Sequence, residues 1–127
     1  MGQKATGTLA VGNIARVAAV RYGDREAIYC SSTDRRFSFR QVNRRSNGLA
    51  NGLMSLGLKK GDVAAFLCTN RAEIVEIYFA LAKAGIIGIP LNYRLAPAEM
   101  IELMRHCGAQ ALPVSYAHLT LPTNREV

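Results

Sequence analysis

Two near-continuous apolar runs, Val63 to Cys68 and Ile86 to Leu91, constrain the fold of this chain more than any other feature. Neither run alternates with polar residues, so each reads as a strand buried on both faces, as in a parallel sheet. Between them Ile74, Ile77, Tyr78 and Leu81 recur at helical spacing, which makes the unit strand, helix, strand. Lys83 in the last turn and Gly85 beyond it are helix stop signals. A third helix is expected from Pro97, which suits a first helical position, to Gly108, with Met100, Ile101, Met104 and Cys107 inward. This alternation predicts an α/β chain with a doubly wound, mostly parallel sheet flanked by helices.

The amino-terminal half is read the same way. Val11 to Tyr22 is expected as a short amphipathic helix with Ile14, Val17 and Ala18 inward, ended at Gly23-Asp24. Glu26 to Cys30 is a short strand, Ser31 to Asp34 a polar turn, and a second short strand lies around Arg36-Phe37. Ser38-Phe39-Arg40-Gln41 has the S-x-x-Q form of a capping box. The helix it opens runs to about Leu56, with Val42, Leu49, Leu53 and Leu56 inward and Gly57 as its stop. Gly48 and Gly52, four apart, suggest a helix backbone packed closely against a sheet. Asn70-Arg71-Ala72-Glu73 is a cap-like start for the next helix.

The chain has 127 residues and a net charge of +7, one domain at most and short for an enzyme of two substrates. No apolar run approaches the roughly 20 residues that cross a bilayer, and Met1 to Leu9 lacks a secretory apolar stretch, so a cytoplasmic location is expected. Cys30, Cys68 and Cys107 fit neither a disulfide framework nor a CxxC metal site and are expected as small reduced hydrophobes. Arg35, Arg36, Arg40, Arg44 and Arg45 crowd one stretch, as a nucleic-acid patch would. No aromatic residues interleave with them on the helix, however, and Arg40 and Arg44 share one solvated face. No nucleic acid is the expectation. His106 and Cys107, neighbours on a helix, point about 100° apart and form no dyad.

Three segments together resemble the adenylate-forming (AMP-binding) superfamily, in particular its acyl-CoA synthetase branch. Phe37-Ser38-Phe39-Arg40-Gln41-Val42 with Asn47-Gly48-Leu49-Ala50 is similar to that family's first core motif. Gly57-Leu58-Lys59-Lys60-Gly61-Asp62-Val63-Ala64 is similar to its turn into a strand. Leu81-Ala82-Lys83-Ala84-Gly85 through Pro90-Leu91-Asn92 is similar to its second core motif. Gln41 departs from the usual Glu, and Ala96 stands where Ser or Thr commonly precedes the helix proline, which is expected to cost that helix about 1 kcal/mol.

The resemblance covers residues 13 to 112 and implies an N-terminal subdomain of an AMP-binding enzyme, truncated. The parent would join a fatty or aryl carboxylic acid to CoA through an acyl adenylate, using ATP and Mg²⁺. The family's Pro-Lys-Gly phosphate loop, acidic Thr-Glu pair, adenosine-binding Asp and mobile lysine do not occur here. No catalytic, cofactor-binding or metal residue is therefore assigned, and no ATP, Mg²⁺ or CoA binding is expected of this chain alone. Residues 1–12 are expected to be a flexible terminus. Residues 113–127, where periodicity fails, resemble the translated read-through of a sequencing adapter (Val114 to Thr123), with the remainder of the enzyme missing. Two other readings stand beside this one: a free-standing flavodoxin-like module holding a nucleotide or protein partner, and a basic nucleic-acid binder.

Overall fold

The computed structural model describes residues 10–110. The expectation for 113–127, and most of that for 1–12, lies outside them. A 3₁₀ turn, Val11–Asn13, leads into α1 (Ile14–Tyr22). There follow β1 (Glu26–Cys30), β2 (Arg35–Ser38), α2 (Phe39–Ser55), β3 (Val63–Phe66), α3 (Ala72–Ala84), β4 (Ile87–Pro90) and α4 (Pro97–Cys107). β1 and β2 form an antiparallel hairpin, a pairing the mostly parallel expectation did not include, around a turn in which Asp34 takes φ 52°. β3 and β4 are parallel, with Val63 opposite Ile87 and Phe66 opposite Pro90.

β3 is buried on both faces, as its composition requires. Ala64 and Phe66 join Leu53, Leu58, Ile77, Leu81 and Ile86 on one side. Ala65 and Leu67 join Leu91 on the other, where Met100 and Met104 of α4 pack against them. Helices thus lie on both sides of β3, the doubly wound arrangement. β4 is less covered than its apolar run suggests. Ile86 and Leu91 are buried at its ends, but Ile87 is 53% exposed, because β3 is its only strand neighbour among the described residues.

The helix boundaries follow local chemistry. Ser38 Oγ accepts from the Gln41 N–H at 3.1 Å while Gln41 Oε1 accepts from the Ser38 N–H at 2.8 Å, so the box closes with Gln in place of Glu. At the other end of α2, Gly57 adopts φ 99°, its N–H reaches Met54 O, and Leu58 N–H reaches Leu53 O at 3.3 Å. Leu53 and Leu58 then meet in the core, the hydrophobic contact that accompanies this kind of stop. Ile86 N–H to Leu81 O and Ala109 N–H to Met104 O repeat the device after Gly85 and Gly108. Ahead of α4, Ala96 offers no side-chain oxygen, yet its N–H donates to Glu99 Oε1 at 3.0 Å, half of a capping box. α3 begins after Arg71, without a side-chain cap.

Several inward assignments change. α1 docks through Ala15 and Ala19, leaving Ile14 and Val17 exposed; α2 buries Val42, Ser46, Ala50 and Leu53, leaving Leu56 80% exposed. Small residues mark these contacts: Ala15, Ala19, Ser46 and Ala50 are buried, and at the 3₁₀ turn a Cβ on Gly12 would lie 2.8 Å from Ala82 O. Gly48 and Gly52 mark no such contact. Nothing lies within 4 Å of a Cβ at either, since their shared face is the solvated one. Tyr78 is half exposed and covers Phe66 edge-on, ring centroids 5.4 Å apart. In α4 Met100 and Met104 pack inward, but none of its residues is fully buried.

Candidate functional site

In an open parallel sheet, ligands sit outside the carboxyl ends of the strands. Here those ends carry residues 67–71 after β3 and 91–96 after β4. The second loop is shaped by Asn92, whose Oδ1 accepts from the Arg94 N–H at 3.0 Å. That turn leaves Tyr93 exposed, with the Arg94 guanidinium 5.7 Å from its ring centroid. In the first, Cys68 Sγ donates to Thr69 O at 3.2 Å.

Four of the five arginines in the stretch form ion pairs, and Arg44 has no carboxylate partner among the described residues. Arg35 meets Glu73 at 2.9 Å, Arg36 meets Glu26 at 2.7 Å and Arg40 meets Asp24 at 3.4 Å. Arg45 grips Glu76 with Nε on Oε1 and Nη2 on Oε2, the second contact at 3.3 Å. The Arg35 and Arg45 guanidinium carbons also lie 4.8 and 4.9 Å from the Phe37 ring centroid, so buried Phe37 is faced by two cations. Burial opposes the charge on Glu73, but the Arg35 hydrogen bond and nearby cations outweigh it and hold that carboxyl below its ordinary value. The bond from Glu76 raises Arg45 in turn. Such an array ties the hairpin and α2 to α3. Its ion pairs hold four of the stretch's five arginines against carboxylates.

Cys30 closes β1 inside an apolar cluster, as expected of a small hydrophobe. Its Sγ lies 3.4 Å from Ser32 Oγ, and that hydroxyl, with the Ala72 backbone, pulls the thiol down to about 7. The run of hydroxyl residues after Cys30 was the signal for this. Cys68 and Cys107 are half-buried, and no disulfide joins the three cysteines. His106 is exposed beside half-buried Cys107 on α4. Among the described residues no three His, Cys, Asp or Glu side chains are grouped to hold a metal ion. No described helix is long and apolar enough to cross a membrane.

Residues 15–126 match the AMP-binding enzyme family. The chain belongs to that family. This AMP-binding chain is 35% identical over 97 residues to a crotonobetaine/carnitine–CoA ligase of Salmonella typhimurium, covering 74% of the chain and 19% of the relative. It is 29% identical over 110 residues to the acyl-CoA ligase SID4 of Ajellomyces capsulatus, covering 87% and again 19%. The chain thus spans about a fifth of the length of these curated relatives. Among solved structures, the N-terminal domain of FACL13 from Mycobacterium tuberculosis superposes with a TM-score of 0.79 at 30% identity, over 83% of the chain and 26% of that domain. NpsA of Klebsiella oxytoca in complex with 3-hydroxyanthranilyl-AMSN gives 0.75 at 26%, over 86% and 22%. The scaffold motifs of the AMP-binding chain fall where the fold uses them: a cap at Ser38, a turn at Gly57 to Asp62, and a stop at Gly85.

Proposed function

We propose that this chain is the opening scaffold of an ATP-dependent, AMP-forming acyl-CoA ligase and does not form adenylates by itself. The family match over residues 15–126, in a chain spanning 19% of its CoA-ligase relatives, carries the reading. The parent reaction joins a fatty or aryl carboxylate to the α-phosphate of ATP, expels pyrophosphate, and passes the acyl group to the CoA thiol. Both steps build charge on phosphate and carbonyl oxygens, which calls for cations, backbone donors and Mg²⁺ held in fixed positions. The described residues supply no such cradle, so no step is routed through them. Their part is positional: β3 and β4, packed between α2/α3 and α4, hold the 67–71 and 91–96 loops at one edge of the sheet.

Pyrophosphate release by the purified chain with ATP, Mg²⁺ and a panel of fatty and aryl acids is expected to stay at background. Grafting residues 10–110 in place of the matching segment of the Salmonella crotonobetaine/carnitine–CoA ligase is expected to preserve thioester formation. ATP-dependent pyrophosphate release by the isolated chain would overturn the reading, as would a folded graft that is inert. A rise in melting temperature with ATP would favour the free-standing nucleotide-binding module instead. The family match takes in residues 113–126, whose origin as native or adapter-derived the nucleotide sequence would decide.

A further inference from the structure

Arg35, Arg36, Arg40 and Arg45 are each matched by a carboxylate; Lys83 is not. It sits in the last turn of α3, half-buried, with Nζ donating to Asn43 Oδ1 at 2.8 Å. Neither Lys83 nor Arg16 has a carboxylate partner among the described residues. Burial, and after it the charge of Arg16, hold the Lys83 ammonium below the ordinary lysine value. Arg16 in turn donates through Nε to Asn13 Oδ1 at 3.2 Å.

At Lys83 lies a cleft of about 580 Å³, bordered by the 3₁₀ turn ahead of α1, by α2 and by the end of α3. Asn13, Asn47, Asn51 and Lys83 form its polar lining, Ala50 and Met54 an apolar part, and among the described residues no acidic one lines it. The Asn47 and Asn51 carboxamides, one turn apart on α2, have no side-chain partner among the described residues and remain free to donate. Lys83 has three donors and gives one to Asn43. α1 starts at the cleft, so the positive end of its dipole opposes the carbonyl end of α3, which alone would repel an anion. The cleft is also remote from the carboxyl-end loops. Gly61 N–H, ahead of β3, donates to Gly85 O at 2.9 Å, so α3 finishes at the amino end of the sheet.

We infer that this cleft is a binding site for a small molecule carrying an oxyanion, carboxylate or phosphate. Lys83 is the counter-charge, Asn47 and Asn51 the amide donors, and Ala50 with Met54 the rest for a short apolar part. Anion binding removes the uncompensated repulsion between Lys83 and Arg16, and it requires nothing of the ligase reading.

The test is a nuclear magnetic resonance titration of the 127-residue chain at constant ionic strength, once with inorganic phosphate and once with butyrate. The side-chain amides of Asn47 and Asn51 and the Lys83 terminus are followed. Saturable shifts confined to these groups are expected with one anion. Phosphate alone assigns a phosphorylated ligand, and butyrate alone a carboxylate with an apolar tail. Lys83→Gln is expected to weaken the effect about tenfold or more, and Arg44→Gln to leave it intact. Asn47→Asp, at an exposed position that asks nothing new of folding, is expected to abolish it by repulsion and serves if Lys83→Gln unfolds. The inference is overturned if neither anion saturates, if shifts spread evenly over the arginines, or if folded Asn47→Asp titrates like the parent chain.

Discussion

Two faces of this molecule handle positive charge in opposite ways. On the hairpin face Arg35 and Arg45 answer Glu73 and Glu76 and cover Phe37 between them. On the cleft face the charge of Arg16 bears on Lys83 with no carboxylate partner for either among the described residues. A net charge of +7 therefore says little about partners until each cation is placed. The dense run of arginines is the better balanced of the two regions, since four of its five cations face carboxylates.

The comparison breaks most sharply at Glu76, whose side chain is 9% exposed. Glu76→Ala strands Arg45 against Phe37 and is expected to cost about 2–3 kcal/mol in urea unfolding. Arg45→Met with Glu76→Leu is expected to recover most of that, because replacing both partners leaves no charge stranded beside the buried Glu76 position. Lys83→Gln, which removes an uncompensated charge, is expected to stay within about 0.5 kcal/mol of the parent.

Gly12→Ala probes the seam beneath the cleft. Its Cβ would meet the Ala82 carbonyl, and a loss of about 1–3 kcal/mol is expected by thermal melting. Gly48→Ala and Gly52→Ala, on the open face of α2, are each expected to gain about 0.5–1 kcal/mol.

The smallest effects are in pH. Glu73 binds its proton less readily folded than unfolded, so its contribution is present above the ordinary carboxylate value and lost as pH falls through the folded one. Glu73→Gln is expected to flatten the acid limb of a stability profile. Lys83 is also lowered, but as a cation it costs stability at neutral pH, and the unfolded chain holds the extra proton. Stability is expected to rise as pH climbs from the folded value toward the ordinary lysine one, and Lys83→Gln to remove that rise.

What could be read from residue order follows from how local each cause is. The stops at Gly57, Gly85 and Gly108 were legible because a positive φ selects glycine whatever surrounds it. The Ser38 box closes within four residues, and the burial of β3 is written in its composition. Inward faces were less legible. Hydrophobicity nominated Ile14, Val17 and Leu56, whereas the seams between helices are set by Ala15, Ala19, Ser46 and Ala50, whose merit is size. The ion pairs join residues 31 and 38 positions apart, and the Lys83–Asn43 bond spans 40. Sequence showed the cations and gave no means of finding their partners. The cleft left one faint trace, the Asn47 and Asn51 spacing on α2.

Those same separations bear on the order of folding. A bond between Arg45 and Glu76 cannot form until α2 and α3 have docked and the intervening β3 is in place, so little of it exists at the folding barrier. The charge array then acts as a latch on the finished molecule. Glu76→Ala is expected to leave the folding limb of a chevron nearly unmoved and to steepen escape from the native state, so the arginines govern how long the fold lasts more than how fast it is reached.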